Sequence, residues 1–349
     1  MLPDGSNGAD VPDDESLVIA RGIASAVEPD GGLAAVQVSL LGAIHAALRG
    51  SVVDHSHLDP IGPAELADAL AGRPQAFRHR VVQDMVLGEL VLRPIPPDVA
   101  RRVERYATAL GVDDRFVRVA RRYAQGAFGL AWLDLHRSGF AEHWERARKD
   151  QVRTTVRLED QLAAGVEDAA LAERWMCFAD LPVGTLGRSV WDLYRSRGFG
   201  LPGTAGGASA YLAQHDFVHV LADYGTNLNG ELEVFSLIGR ADPDPKGFAW
   251  PATLIGLFGT GYVADAGFFS ADVREHRLDG PRMHVRIADA MRRGRDRAPG
   301  RAPGVRGRLE LAAKGDEGSA AGSGGGLDPA GMSLVQREFA ASIERGVGP

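Results

Sequence analysis

Apolar residues recur through the first third of the chain at the spacing of a helix. Val36, Leu40, Leu41, Ile44 and Leu48 form one stripe. Val81, Val82, Met85, Val86 and Leu90 form a second, and Val103, Tyr106, Ala107 and Leu110 a third. Steps of three and four residues return a side chain to the same face of a helix with about 3.6 residues per turn. A helix with one apolar face must bury that face against another element. The stripes therefore predict an all-α fold. Turn chemistry separates them at Glu28-Pro29-Asp30-Gly31, from Asp59-Pro60 to Pro63, and from Pro94 to Pro97, where proline and glycine interrupt regular structure.

The chain has 349 residues, room for about two domains of ~150 residues. We expect two helical domains or subdomains: residues 1–15 a disordered acidic tail, 16–139 a first helical domain, 140–293 a second, and 294–349 a low-complexity tail with a terminal helix near 332–345. The second domain opens on a strongly charged connecting helix that reaches about residue 170. The net charge is -7 with no basic stripe in the central part of the chain, which speaks against a nucleic-acid partner. Cys177 is the only cysteine. It has no intrachain disulfide partner and fits a reducing, cytoplasmic setting as a buried structural thiol. No apolar run reaches the ~18–20 residues of a membrane span. Residues 251–269 come nearest, and Gly256, Gly259, Gly261 and Asp265 interrupt them. Peripheral contact with the inner face of a membrane stays open.

The densest chemistry lies in His215-Asp216-Phe217-Val218-His219, followed twelve residues later by Glu231. Histidines four apart share one face of a helix, and neutral imidazole is the commonest metal ligand. A carboxylate from the next element would complete a three-ligand set, which leaves a position open for chemistry. The rival reading makes His215 and His219 half-buried helix histidines with other partners. Glu231 follows the turn-rich Gly225-Thr226-Asn227-Leu228-Asn229-Gly230. Asn227 or Asn229 can cap the next helix, placing Glu231 in its first turn, where it also complements the helix dipole. Asp216 sits about 100° round from His215 and can ligate, accept a proton or orient a histidine. Glu233 is expected in solvent, as is the His55-Ser56-His57 loop.

A second motif lies upstream: Leu181-Pro182-Val183-Gly184-Thr185-Leu186-Gly187-Arg188, then Trp191-Asp192-Leu193-Tyr194. Pro182 and Gly184 force a turn, and Thr185 can cap the helix that Tyr194 continues. Arg188 stands in the first turn, where a cation opposes the dipole. That placement points to an anionic partner: a ligand, or a nearby acid.

The two motifs together resemble the ubiquinone (coenzyme Q) biosynthesis protein 4 family. Its pattern is His-Asp-x2-His-x11-Glu after a Leu-Pro-x-Gly-Thr-Leu-Gly-Arg segment, matched here by His215, Asp216, His219 and Glu231 and by residues 181–188. The resemblance spans residues 171–270. It implies an all-helical domain that holds Zn²⁺ or another divalent metal through His215, Asp216, His219 and Glu231; two histidines and a carboxylate as donors also suit Fe²⁺. It implies work on a prenylated aromatic ring, removing its carboxylate and installing a hydroxyl, beside other quinone-biosynthesis enzymes at a membrane surface and often as a homodimer. The family's Tyr-Arg before the motif is Ala213-Gln214 here, and residues 200–209 are unusually rich in glycine. The N-terminal section is similar instead to TerB-like domains named after tellurite-resistance proteins. There Asp30-Gly31 separates a shorter from a longer helix, and Arg93-Pro94 replaces it in a second copy of the layout.

The expected function is a metal-dependent lyase, an oxidative decarboxylase of a prenylated hydroxybenzoate-like ring. Asp216 would be fourth ligand or proton acceptor, and Arg188 would grip a carboxylate or lipid phosphate. Leu254, Ile255, Leu257, Phe258, Phe268 and Phe269 would wall a prenyl-tail groove or simply form core. Two alternatives stand beside it: a non-catalytic prenyl-lipid-binding scaffold for quinone-modifying enzymes, and a zinc metallohydrolase. Zinc peptidases carry glutamate directly after the first histidine; this chain has Asp216.

Overall fold

The computed structural model describes residues 11–92, 94–112, 167–211, 213–241, 278 and 282–297. Among the described residues every regular element is helical. In chain order these are α1 (Asp13–Val27), α2 (Ala35–Arg49), α3 (Pro63–Ala69), α4 (Gln75–Leu90), α5 (Pro97–Ala109), α6 (Ala169–Met176), α7 (Leu186–Arg197), α8 (Gln214–Ala222), α9 (Leu228–Ala241) and α10 (Met283–Arg297). Short 3-10 turns occupy His55–His57 and Cys177–Asp180. The all-α class implied by the stripes is what forms. Most of the charged connecting segment, the apolar run at 251–269 and the terminal helix at 332–345 lie outside the described residues.

The chain divides into two compact units. One is built on Gly139–Gly230; the other combines Leu2–Ser138 with Glu231–Ala298. The N-terminal unit is thus discontinuous in sequence, because α10 and nearly all of α9 join the first five helices. Proline at the first helical position starts α3 and α5, where its missing N–H costs nothing. The stripes then meet in one core: Leu40, Leu41, Ile44 and Leu48 of α2, Val82, Met85, Val86 and Leu90 of α4, and Val103 and Tyr106 of α5 are all buried. Gly88 brings α4 close to α1; a Cβ there would lie 3.0 Å from Val27. Beside it, the buried side chain of Gln37 donates to the carbonyls of Val27 and Gly88, each at 2.9 Å, and accepts from Ala34 N–H at 2.9 Å.

Long-range polar contacts attach the late helices. Arg80 of α4 donates to Gly239 O on α9 at 3.0 Å. Arg295 of α10 donates to Leu48 O at the end of α2 at 2.6 Å. Arg286 and Glu233 form a fork, with contacts of 2.8 and 2.5 Å. Glu233 is therefore buried and paired, where a solvated side chain was expected. Two tail boundaries also move. Asp13, Asp14 and Glu15 form the first turn of α1, where acidic groups complement the helix dipole, and Glu15 is tied to Arg73 at 2.7 Å. The arginine-rich run expected as linker begins as the last turns of α10, held by Arg295.

Arg49 and Asp84 meet at 2.8 Å with side chains 5% and 1% exposed. Burial pushes the Arg240 guanidinium well below its ordinary value, and Arg80, Arg49 and Arg295 push it the same way. The His55-Ser56-His57 loop is half as expected: His57 is exposed, but His55 is buried with its ring 5.5 Å from that of His45. His45 Nε2 meets the hydroxyls of Ser16 at 2.9 Å and Ser51 at 3.1 Å. Burial, and then the nearby charge of Arg49, lowers the His45 pKa to about 3.

His45 stays neutral in the fold over a range where the unfolded chain takes up its proton. Its contribution is present in full above about pH 6.5 and is lost as pH falls towards 3. Urea midpoints measured from pH 7 to pH 4 should fall for the native chain and fall less steeply for His45→Gln. Parallel curves for the two proteins would show that another group sets the acid limb.

Candidate metal centre

The second unit is built around an aromatic cluster. Asp168 caps α6 by accepting from Leu171 N–H at 3.0 Å. That helix delivers Leu171 and Trp175 to the core, the 3-10 turn adds Phe178, and α7 adds Leu186, Val190 and Tyr194. The Trp175 ring lies 5.3 Å from Phe178, 5.3 Å from Tyr194 and 5.8 Å from Phe217, inside the range where tilted and edge-on aromatic pairs add to simple burial. The glycine-rich stretch is a packing device. Gly203 has φ +91°, its carbonyl accepts from Asp168 N–H at 2.9 Å, and a Cβ there would fall 2.5 Å from the backbone of α6.

The upstream motif folds as its residues imply. Thr185 is the N-cap of α7 and accepts from Arg188 N–H, while its hydroxyl donates to Pro182 O at 2.8 Å. Gly184 turns the chain at φ +91°. Arg188 finds its anion locally: it donates to Asp192 at 3.0 Å and to Ala179 O at 2.8 Å, bracing the corner between the 3-10 turn and α7. Cys177 is only part-buried and is a free thiol.

Helix α8 carries the site. Phe217 anchors it in the aromatic cluster, fully buried. One turn holds His215 and His219, their rings 5.3 Å apart. With Asp216 they form a donor group in which one ligand atom from each residue lies within 4.8 Å of the others. His219 is 1% exposed; the side chains of His215 and Asp216 are 22% and 11% exposed. The group is therefore rooted in the core and reaches solvent along one edge. Asp216 also stands in the first turn of α8, where the dipole favours a carboxylate.

Its two oxygens face different neighbours. Tyr194 Oη donates to Oδ2 at 2.6 Å, and Oδ1 lies 3.4 Å from His215 Nε2. Burial first, and then the Asp216 charge, holds the Tyr194 phenol well above its ordinary pKa, so it remains a donor. Sequence reading placed Tyr194 on the helix but missed this bond. A signal was present: a tyrosine in the stripe Leu186, Val190, Tyr194 needs a partner for its hydroxyl when buried.

Imidazole and carboxylate bonds to Zn²⁺ run about 2.0–2.1 Å, and a tetrahedral centre then sets neighbouring donor atoms about 3.3 Å apart. The 3.4 Å from His215 Nε2 to Asp216 Oδ1 fits that edge. The donor chemistry, two imidazoles and a carboxylate, suits Zn²⁺ or Fe²⁺. Glu231 takes its expected place in the first turn of α9, 5% exposed, after Asn227 accepts from Gly230 N–H at 3.0 Å. By its contacts it opens the portion of the chain that belongs to the N-terminal unit. The donor group within 4.8 Å comprises His215, Asp216 and His219.

No family model, curated protein or solved structure matches the chain. Replacing Thr185 by alanine removes the α7 cap and should cost about 1 kcal/mol. Thr185→Asp, which keeps an acceptor, should cost less. Equal thermal midpoints for native chain and Thr185→Ala would show that the cap contributes nothing to holding α7.

Proposed function

We propose that the chain is a divalent-metal-dependent protein of quinone biosynthesis that removes the carboxylate from a prenylated hydroxybenzoate-like ring and leaves a hydroxyl at that carbon. The observation that carries the reading is the convergence of His215, Asp216 and His219, with ligand atoms within 4.8 Å and one edge open to solvent. The ring substrate rests on the motif at residues 181–188 and on the His-Asp-x2-His-x11-Glu spacing.

In this reading His215, His219 and Asp216 hold the ion. A bound divalent cation would supply Lewis acidity towards the ring carboxylate and phenolate. The chain's own residues do the rest. His219 and Phe217 root the donors in the core, and Tyr194 holds the Asp216 carboxylate turned through its hydrogen bond to Oδ2. Exchanging a carboxylate for a hydroxyl is a two-electron oxidation: the ring–carboxylate bond breaks and CO₂ leaves, water supplies the hydroxyl oxygen, and dioxygen takes up the two electrons and two protons and leaves as hydrogen peroxide. The centre's edge at His215 gives such a small co-reactant and the ring a route from solvent. Hydrolysis takes second place because Asp216, the residue at the position of a zinc peptidase's general base, already has Oδ2 engaged by Tyr194.

Purified full-length protein should carry about one divalent ion per chain by elemental analysis, the expectation for a site of this donor set. His219→Ala should abolish binding, and Asp216→Ala should weaken it. Unchanged stoichiometry in both variants would defeat the ligand assignment. Loaded protein incubated with a prenylated hydroxybenzoate under air should release CO₂ and yield the hydroxylated ring. A loaded protein that retains prenyl lipid without turnover would move the assignment to a lipid-binding scaffold.

A further inference from the structure

The Asp216 carboxylate is gripped from the side away from the histidines. A carboxylate on a single helix is free to rotate about its last bond, because that torsion has a broad, two-fold profile. It can then present one oxygen, the other, or both. Here the rotation is stopped. Oδ2 accepts the Tyr194 hydroxyl at 2.6 Å, and Oδ1 is left 3.4 Å from His215 Nε2. The phenol itself has little freedom. Tyr194 is 0% exposed, with its ring 5.3 Å from Trp175 and 5.7 Å, edge-on, from Phe199.

We propose that Tyr194 is a positioning residue: its hydroxyl fixes Asp216 as a ligand through Oδ1 alone and so sets the geometry of the centre. This rests on the metal reading above. A partner that hydrogen-bonds a ligating carboxylate orients it and tunes its basicity, and loss of such a partner commonly costs 10–100-fold in metal affinity. The rival explanation gives the bond a purely structural role, docking α7 on α8. The two differ in what they predict for a bound ion.

The test uses Co²⁺ with the full-length chain, followed by its visible absorption. The native chain should bind Co²⁺ and show the intense bands of a low-coordinate site. Tyr194→Phe keeps the ring and removes only the hydroxyl. It should bind Co²⁺ about 10–100-fold more weakly, with altered band positions and intensities. Leu171→Ala, which disturbs the packing of the same core and spares the hydroxyl, should lower thermal stability and leave Co²⁺ affinity unchanged. In an Asp216→Ala background, adding Tyr194→Phe should produce no further loss of affinity, because the phenol acts only through that carboxylate.

Unchanged Co²⁺ affinity and spectrum in Tyr194→Phe, measured well below its melting temperature, would overturn the proposal. So would an equal loss from Leu171→Ala. If Tyr194→Phe does not fold, 3-fluorotyrosine at position 194 keeps the shape and makes the donor more acidic; it should shift the Co²⁺ bands, and unmoved bands would overturn the proposal. A native chain that takes up no Co²⁺ sinks the metal reading itself, an outcome distinct from a native chain that binds and a Tyr194→Phe variant that binds equally.

Discussion

The hydrogen bond from Tyr194 to Asp216 joins two things that physics tends to keep apart, an aromatic core and a charged group. An ionised carboxylate is costly to bury unless it is paired or hydrogen-bonded. Asp216 meets that condition on one oxygen with a phenol from α7, 22 residues away in sequence. Three side chains of the second unit serve that contact. Thr185 starts α7 in the right place, Arg188 braces the corner before it, and Trp175 holds the Tyr194 ring where its hydroxyl meets the carboxylate.

The N-terminal unit solves the same problem in another way. Arg49 pairs with the buried Asp84, the buried Glu233 pairs with Arg286, and the buried Arg80 guanidinium meets a backbone carbonyl. Arg80 and Arg295 each reach across to the carbonyl end of another helix segment, where the dipole is negative and a cation is favoured. This is how α9 and α10, remote in sequence, are held to the first five helices. His45 and His55 are buried imidazoles of the same unit; burial keeps His45 neutral, with the Ser16 and Ser51 hydroxyls at its Nε2.

Local features were legible in the sequence. Val36 to Leu48 and Val81 to Leu90 gave α2 and α4 because periodicity is a property of short windows. Thr185 and Asn227 were readable as caps because a cap acts over three residues. Pairings across long separations were not. Glu233 looked solvated since its partner Arg286 lies 53 residues on, and the start of α1 looked disordered since Arg73, which fixes Glu15, is 58 residues away. The site was partly legible for the same reason. His215, Asp216 and His219 sit within two helical turns, whereas the Tyr194 bond depends on how α7 meets α8. The affiliation of Glu231 onward with the N-terminal unit left no mark on the local pattern.

Gln37 carries a consequence of its own. At the meeting of α1, α2 and α4 its amide accepts once and donates twice, to three different backbone groups. Glutamate has the shape but would confront two carbonyls with a repelling oxygen. Methionine has the length but would strand all three groups, and asparagine is one carbon short. A primary carboxamide of this reach is thus a three-pin connector among helix backbones. The position admits one of the twenty side chains for reasons of wiring, although nothing about it takes part in chemistry.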